Sequence, residues 1–182
     1  EKCVDQAGIC ILHAPLFHPA MKNVAPIRKE LGVKTFFNML GPMVNPSFPK
    51  NQLVGVFNLE LARMYGYLYQ NTDRNFTILH SLDGYDEVSL TCATKYISNT
   101  KEGILNPSDF GVKQLLQSEI EGGTTIDESA QLFMNIISGK GTEAQNNVVC
   151  ANAAMAIATV NSCTQLEGFE LAKESLLTGK GL

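Results

Sequence analysis

Three acidic side chains fall within one short turn of the sequence, Asp83-Gly84-Tyr85-Asp86-Glu87. The turn follows an apolar run typical of a buried strand, and ligands of open α/β sheets bind just outside the carboxyl ends of the strands. Crowded carboxylates repel one another unless a cation neutralises them. With no thiol or imidazole beside them they suit a hard ion, such as Mg²⁺ bound with a phosphate. Alternatively, Asp83 and Gly84 only form a turn and the other acids are solvated.

Arg28 is a second candidate, because it falls at the edge of an apolar stripe with helical spacing. The stripe consists of Ala20, Val24, Ile27 and Leu31. An arginine in this position can bury its aliphatic stem and present a planar guanidinium to a carboxylate. The alternative is a surface arginine whose stem covers the stripe while its charged end stays in water.

Other catalytic chemistries have little support in the sequence. His13, His18 and His80 accompany no serine or cysteine motif, so we interpret each as a loop or core histidine. Gly139-Lys140-Gly141-Thr142 lacks the upstream glycine of a phosphate-binding P-loop and is interpreted as helix punctuation. The five cysteines form no Cys-x-x-Cys pair, which predicts buried free thiols in a reducing compartment and a cytoplasmic location.

The elements that must position these residues alternate between strand and helix. The pattern predicts buried strands over residues 8–13, 52–57, 75–82 and, more weakly, 94–98, with helices over residues 20–31 and 59–70. A strand–helix–strand unit over residues 52–82 favours a parallel sheet with helical crossovers. Three prolines predict a rigid loop over residues 41–49. The predicted fold class is therefore α/β, with a mainly parallel sheet flanked by helices.

Beyond residue 98 we expect only helices. Three capping boxes introduce them: Thr125 with Glu128, Thr142 with Gln145, and Thr164 with Glu167. Residues 148–157 are apolar on every face, which predicts a buried helix. The last helix is expected to stop at Gly179.

Composition limits the classes of protein that remain. The chain has 182 residues, of which 45% are hydrophobic and 18% charged, and this predicts one folded core rather than two domains or a disordered tail. A net charge of −4 argues against nucleic acid as a partner, since phosphates require a basic face. No membrane partner is expected, because the longest apolar stretch, residues 148–160, is interrupted by Asn152 and Thr159.

Three stretches resemble, in the same order, the signature of the anthranilate phosphoribosyltransferase family. The first is Ala14-Pro15-Leu16-Phe17-His18-Pro19-Ala20-Met21-Lys22-Asn23-Val24-Ala25-Pro26-Ile27-Arg28. The second is Leu31-Gly32-Val33-Lys34-Thr35-Phe36-Phe37-Asn38-Met39-Leu40-Gly41-Pro42, followed by Asn45-Pro46. The third is Asp83-Gly84-Tyr85-Asp86-Glu87-Val88-Ser89. The resemblance covers nearly the whole chain.

The resemblance implies an activity and an aromatic substrate. Members of this family transfer the phosphoribosyl group of phosphoribosyl diphosphate to the amine of anthranilate and release diphosphate, a step of tryptophan biosynthesis. By position, the resemblance implies that Arg28 binds the anthranilate carboxylate. It also implies that four residues line the path of the aromatic substrate: Pro15, His18, Met21 and Gly41.

The same resemblance implies a metal. Asp86 and Glu87 fall on the positions that would hold Mg²⁺ against the diphosphate. Anthranilate's amine is a weak nucleophile, but it needs no strong base if the ribose carbon is already cationic in the transition state. The resemblance therefore implies catalysis by positioning and by neutralising the leaving diphosphate.

The chain differs from the family in what precedes its first motif. Family members carry an upstream helical domain, a glycine-rich diphosphate loop and a Lys-His-Gly-Asn segment, none of which occurs here, and the first residue is Glu rather than Met. We therefore expect residues 1–182 to be the C-terminal part of a single, incomplete α/β domain without a second domain, lacking the N-terminal helical domain and the first strands. We expect this part to be inactive alone. A homodimer is expected for the full-length enzyme and is undecided for this part.

Two alternatives remain from the sequence. Pyrimidine nucleoside phosphorylases resemble this architecture but lack the Phe17-His18-Pro19 and Asn38-Met39-Leu40-Gly41-Pro42 stretches. A non-catalytic module that binds Mg²⁺ or a protein partner is favoured by the missing phosphate loop. Anthranilate binding that depends on Arg28 would distinguish the enzyme from the module.

Overall fold

A computed structural model of the chain describes residues 2–17, 23, 26–27, 30 and 39–182. It divides into two compact units, Glu1–Phe48 and Pro49–Leu182, and each is described by itself. The larger unit contains a β-sheet and four α-helices, whereas the described part of the smaller unit contains short helical segments.

The smaller unit begins with helix α1, Lys2–Ala7, and continues with the short helix α2, Ala14–Phe17, and a 3₁₀ turn, Gly41–Met43. The prediction of a buried strand over residues 8–13 is wrong. Gly8 ends α1 in the left-handed conformation (φ +69°), and its N–H donates to the Val4 carbonyl at 2.9 Å. The apolar run after it is exposed, with Ile11 89% accessible. The glycine that suggested the start of a strand is thus the C-terminal cap of a helix.

Only part of the predicted helix over residues 20–31 is described. Asn23, Pro26, Ile27 and Glu30 are helical, and the other residues of that range lie outside the described ones. The predicted loop over residues 41–49 is confirmed in having no strand, while its rigidity stays a prediction. After the 3₁₀ turn, the Asn45 side chain accepts hydrogen bonds from the Ser47 N–H at 3.0 Å and the Ser47 hydroxyl at 2.8 Å.

The larger unit is built on four strands: β1 Asn51–Gly55, β2 Asn75–Ser81, β3 Thr94–Ser98 and β4 Glu102–Leu105. Helix α3, Leu59–Tyr69, connects β1 to β2, and these two strands are parallel. The β2–β3 and β3–β4 pairs are antiparallel, so the sheet, ordered β1-β2-β3-β4, is mixed. The α/β class with flanking helices is confirmed, but the expectation of a mainly parallel sheet is wrong.

The antiparallel pairing of the predicted strand β3 with β2 makes part of that difference, and strand β4, which we did not expect because no strand was predicted after residue 98, makes the rest. Ser98 and Lys101 close a tight hairpin, in which the Ser98 N–H donates to the Lys101 carbonyl at 2.9 Å. The strand is at the edge of the described sheet, and its burial alternates only weakly, from exposed Glu102 to buried Leu105. A four-residue strand with one buried position carries too little hydrophobic periodicity to be recognised.

Three helices complete the larger unit: α4 Ile126–Ile137, α5 Glu143–Asn161 and α6 Gln165–Leu177. All three predicted capping boxes are confirmed: the threonine hydroxyl accepts a hydrogen bond from the N–H of the third helical residue, whose side chain accepts one from the threonine N–H. Two 3₁₀ turns, Pro107–Phe110 and Gln117–Glu119, lie between β4 and α4. Gly179 has φ +73° after the end of α6, as expected for a glycine C-cap.

Strand β2 forms the centre of a three-layer packing, since six of its seven residues are buried. On one face, Phe76 stacks on Tyr69 of α3 with ring centroids 5.4 Å apart. On the other face, Leu79 joins a cluster with Cys150 and Ala154 of α5. The predicted burial of α5 is confirmed for its central residues, although Val149 is exposed. Helix α5 therefore connects the sheet to α6, which packs on its outer side.

Within the described residues, no helix combines the length and apolar character that crossing a bilayer requires. The five cysteines carry free thiols, but only Cys150 is buried, so the prediction of buried thiols is wrong for the other four. Burial raises the pKa of the Cys150 thiol, which keeps it protonated as part of the core.

Candidate active site

The parallel pairing of β1 and β2 brings the carboxyl ends of two strands to the same edge of the sheet. Gly55, the last residue of β1, is in register with Leu79 of β2, and the Val56 N–H donates to the Leu79 carbonyl at 2.9 Å. Strand β2 ends at Ser81 and continues into residues 82–87, which we call the acidic loop. This edge is where open α/β sheets bind their ligands.

The acidic loop reverses direction through one glycine. The Ser81 N–H donates to the Tyr85 carbonyl at 2.9 Å, and the Gly84 N–H donates to the Ser81 carbonyl at 2.9 Å. Gly84 has φ +104°, a conformation that side-chain-bearing residues rarely adopt. Asp83-Gly84 therefore forms a turn, in agreement with one of the two interpretations of the sequence. The turn does not account for the two acids that follow it.

The three acids of the loop differ in what they contact. The Asp83 carboxylate accepts a hydrogen bond from the Ser89 hydroxyl at 3.3 Å and another from the Thr91 hydroxyl. Asp86 and Glu87 are exposed, and within the described part of the chain their carboxylates have neither a hydrogen bond nor an ion pair. Asp83 therefore belongs to the internal structure of the loop, whereas the other two carboxylates remain available to a ligand.

The backbone at these two acids is held by close contacts to β1 and β2. A Cβ placed on Gly55 would come within 1.7 Å of the Asp86 carbonyl oxygen, so only glycine at this position lets the loop lie against the end of β1. The Ser81 hydroxyl, which is fully buried, donates to the Glu87 carbonyl at 2.5 Å. Ser81 also shares a hydrogen bond of 2.9 Å with the Thr94 hydroxyl of β3.

A third contact reaches the loop from helix α5. The Asn152 side chain accepts a hydrogen bond from the Val88 N–H at 2.9 Å and donates one to the Val88 carbonyl at 2.9 Å. In the sequence, Asn152 stands out only as an interruption of an apolar stretch. A lone amide in a buried helix must find hydrogen-bonding partners, and that signal could have identified it. Gly55 was missed similarly, although a glycine in a strand often marks a close backbone approach.

The donor set of the loop fits a hard divalent cation. Mg²⁺ is typically bound through one or two carboxylates together with substrate phosphates and water. Asp86 and Glu87 supply two adjacent carboxylates without competing protein partners among the described residues. Residues 2–17, 23, 26–27, 30 and 39–182 contain no cluster of three or more His, Cys, Asp or Glu side chains that could hold a metal ion.

Histidine His80 lies next to the loop but is a core residue. It is 7% exposed, and its Nδ1 lies 2.8 Å from the Val56 carbonyl oxygen. Because a carbonyl oxygen can only accept, Nδ1 carries the proton and donates it. The prediction of a core histidine is confirmed for His80, and His13 is an exposed residue before α2.

The residues predicted to bind anthranilate belong to the smaller unit, of which little is described. Arg28, His18 and Met21 lie outside the described residues. Pro15 is in α2, and only its backbone is described. Gly41 begins the 3₁₀ turn, is exposed and has open space around the position of an added Cβ. Their grouping into one substrate site therefore stays a prediction.

The sequence matches a known family model over residues 1–182, described as the glycosyl transferase family, a/b domain. The anthranilate phosphoribosyltransferase of Flavobacterium psychrophilum is 80% identical over 182 residues, which cover 100% of this chain and 55% of that protein. The chain thus spans about half the length of the curated relatives it matches. The family resemblance found in the sequence is confirmed.

Two solved structures from Saccharomyces cerevisiae share the fold. The anthranilate phosphoribosyltransferase in complex with 4-fluoroanthranilate matches with a TM-score of 0.88 at 27% identity and covers 100% of this chain and 55% of that one. The enzyme in complex with PRPP (phosphoribosyl diphosphate) and Mg matches with a TM-score of 0.83 at 29% identity, covering 92% of this chain and 48% of that one.

Proposed function

This chain belongs to the glycosyl transferase family, in its a/b domain, and from that premise we propose that it is the C-terminal portion of an anthranilate phosphoribosyltransferase. The reaction transfers the phosphoribosyl group of phosphoribosyl diphosphate to anthranilate and serves tryptophan biosynthesis. The similarity to relatives of that name, up to 80% identical over the whole chain, supports the assignment.

One structural observation carries the proposal. Asp86 and Glu87 are exposed carboxylates without partners among the described residues, and they sit on a backbone fixed against the ends of β1 and β2. Such a pair serves to bind a cation rather than to stabilise the fold, because unpaired adjacent charges only repel each other. A diphosphate with its Mg²⁺ is the ligand of matching charge.

In the reaction, the bond between the ribose carbon and the diphosphate oxygen breaks and a bond to the anthranilate nitrogen forms, after which that nitrogen loses a proton. Mg²⁺, when bound, neutralises the negative charge that develops on the leaving diphosphate. Asp86 and Glu87 would hold the ion and orient the diphosphate. No strong base from this chain is required, because the ribose carbon carries positive charge before the nitrogen attacks.

The aromatic substrate is assigned to the smaller unit. Arg28 would bind the anthranilate carboxylate through two parallel hydrogen bonds, which a planar guanidinium provides and an ammonium does not. Four residues would line the path of the ring: Pro15, His18, Met21 and Gly41. Fixing the amine in front of the ribose carbon contributes to the rate by removing the entropy of a bimolecular encounter.

The remaining parts of the proposal concern the whole enzyme. Residues 1–182 form one part of an α/β domain whose upstream portion supplies most contacts to phosphoribosyl diphosphate. The chain alone is expected to be inactive. The full-length enzyme is expected to be a cytoplasmic homodimer that binds neither nucleic acid nor membranes.

Loss of anthranilate fluorescence in the presence of phosphoribosyl diphosphate and Mg²⁺ tests this function. The assay compares the full-length protein that contains this chain with the 182-residue chain. Residues 1–182 contain no tryptophan, so they add little fluorescence background. We expect the long form to consume anthranilate and the short form to leave it unchanged.

Two controls make the result specific. Omitting Mg²⁺, or adding a chelator, should stop the reaction of the long form, and omitting phosphoribosyl diphosphate should do the same. If neither form consumes anthranilate with both present, the proposed enzyme activity is wrong, and a non-catalytic module becomes the better account.

A further inference from the structure

We propose that Asn152 is a positioning residue, which fixes the backbone at the end of the acidic loop so that Asp86 and Glu87 can hold a divalent cation together. Among the described residues, the side chain of Asn152 makes its hydrogen bonds to the backbone of Val88 and Val148 and none to the two carboxylates, so it acts through the Val88 backbone. The inference rests on the proposed function only in placing the cation at those two carboxylates.

The Asn152 amide uses both its oxygen and its NH₂ group in hydrogen bonds to backbone atoms. Its Oδ1 accepts from the Val88 N–H at 2.9 Å, while its Nδ2 donates to the Val88 carbonyl at 2.9 Å and to the Val148 carbonyl at 3.0 Å. Turning the amide over would set an N–H against an N–H and an oxygen against two oxygens. Only one orientation of the side chain therefore satisfies its neighbours, and this orientation dictates that of the Val88 peptide.

The position of Val88 gives this contact its influence on the site. Val88 follows Glu87 directly and is 1% exposed, so the chain passes there from an exposed carboxylate into the core. Consecutive Cα atoms lie about 3.8 Å apart, so a shift of the Val88 peptide moves the Glu87 carboxylate with it. The partner is 64 residues away in sequence and belongs to the helix between the sheet and α6.

Three consecutive residues, the last two of the acidic loop and Val88 directly after it, are fixed by three different elements. Gly55 of β1 leaves the space that the Asp86 carbonyl occupies, and Ser81 of β2 binds the Glu87 carbonyl. Asn152 of α5 binds both polar groups of the Val88 backbone. A turn whose carboxylates are only solvated does not need its backbone fixed by three elements. Two carboxylates that bind one cation together do need it, because their positions must match.

A purely structural role would also satisfy a buried amide, so the test needs a matched contact. Thr159 lies on the same helix, and its hydroxyl shares a hydrogen bond of 2.7 Å with the Thr77 hydroxyl of β2. Thr77 is near the start of β2, at the end of the strand opposite the acidic loop. Thr159→Val therefore removes a hydrogen bond between α5 and β2 and leaves the contacts of the acidic loop intact.

Hydrogen–deuterium exchange of the full-length protein supplies a readout that is independent of activity. In Asn152→Leu the peptides covering residues 82–90 should exchange about tenfold faster, since the Val88 N–H loses its acceptor. In Thr159→Val the same peptides should exchange at the wild-type rate. Unchanged exchange of this segment in Asn152→Leu would overturn the proposal.

Cation binding supplies the second readout. Mn²⁺ titrated into the full-length protein with phosphoribosyl diphosphate, and followed by electron paramagnetic resonance, should bind about tenfold more weakly to Asn152→Leu than to Thr159→Val. The KM for anthranilate should stay within about twofold of wild type in both variants. Equal weakening of Mn²⁺ binding in the two variants would show a general structural role and contradict the proposal.

A second variant covers the case in which Asn152→Leu does not fold. Asn152→Ala removes the same hydrogen bonds without adding bulk or charge, so it should shift both readouts in the same direction. If wild-type protein consumes no anthranilate, the proposed function fails. The exchange rates and the Mn²⁺ titration still decide whether Asn152 positions a cation site.

Discussion

At the residue scale, the three carboxylates of the acidic loop differ in their hydrogen-bonding partners. Asp83 is engaged by the hydroxyls of Ser89 and Thr91, while Asp86 and Glu87 face solvent without partners in the described part of the chain. The sequence alone could not make this distinction, because all three acids fall within five residues. Their different environments determine which substitutions should affect stability and which should affect binding.

Replacing either free carboxylate should lower turnover and leave the fold intact. In Asp86→Asn and Glu87→Gln, we expect kcat to fall at least tenfold and more Mg²⁺ to be needed for half-maximal rate. The melting temperature should stay close to wild type, since exposed substitutions change stability by about 0.5 kcal/mol or less. Steady-state kinetics and calorimetry of the full-length protein measure both quantities. Asp83→Ala is the control, and it should lower the melting temperature, because two hydroxyls lose their acceptor.

Arg28 should affect the other substrate. Arg28→Lys keeps the positive charge but loses the planar two-point contact, so we expect a rise of about tenfold or more in the KM for anthranilate with a smaller change in kcat. The KM for phosphoribosyl diphosphate should not change. An equal loss of anthranilate binding in the Arg28, Asp86 and Glu87 variants, with phosphoribosyl diphosphate affinity untouched, would overturn the separate roles given to them.

At the scale of elements, the site depends on how closely the acidic loop lies against β1. A Cβ at Gly55 would stand 1.7 Å from the Asp86 carbonyl oxygen, so Gly55→Ala must displace either the strand end or the loop. Overpacking of this kind costs about 1–3 kcal/mol. We expect a lower melting temperature together with a higher Mg²⁺ requirement in the assay. Gly122→Ala, where an added Cβ meets nothing within 4 Å, is the control and should change neither.

The capping boxes predict a pH dependence of stability. Hydrogen bonds from the Thr124 hydroxyl and the Thr124 and Thr125 N–H groups lower the pKa of Glu128, and bonds from the Thr164 N–H and hydroxyl lower that of Glu167. Because the folded-state pKa of each glutamate lies below its unfolded-state pKa, the stabilisation is fully present at pH values above the unfolded-state pKa. It is lost as the pH falls through the folded-state pKa. The two glutamates lie in the first turns of helices α4 and α6.

We therefore expect Glu128→Gln with Glu167→Gln to lower the melting temperature of the full-length protein at pH 7 and to have less effect near pH 3. Calorimetry at the two pH values measures this, and Glu121→Gln, at an exposed residue outside the three boxes, is the control. A deficit in the double variant that is as large at pH 3 as at pH 7 would contradict this account of the caps.

At the scale of the whole molecule, the sequence predicted the elements that carry strong local signals. Apolar runs predicted strands β1 and β2, and three capping boxes predicted the starts of α4, α5 and α6; these predictions, and the weaker one of β3, were correct. Strand β4 was not predicted, because it is short and lies at the edge of the sheet. Residues 8–13 were wrongly predicted as a strand, because they have the composition of one but are exposed and have no partner strand among the described residues.

The candidate site was predictable in its chemistry but not in its support. The acids of the loop are visible in the sequence, and the family resemblance assigns them a role. The residues that hold their backbone, Gly55, Ser81 and Asn152, come from three elements that only the tertiary structure brings together. Contacts across 64 residues of sequence leave no periodic pattern to detect.

The proposed function depends above all on binding, by the acidic loop, of the cation that accompanies the diphosphate. Anomalous diffraction from crystals of the full-length protein, grown with Mn²⁺ and phosphoribosyl diphosphate, tests this claim. We expect a peak at coordination distance, about 2.2 Å, from carboxylate oxygens of Asp86 and Glu87. A well-occupied Mn²⁺ ion on the diphosphate with its nearest protein ligands elsewhere would contradict the claim.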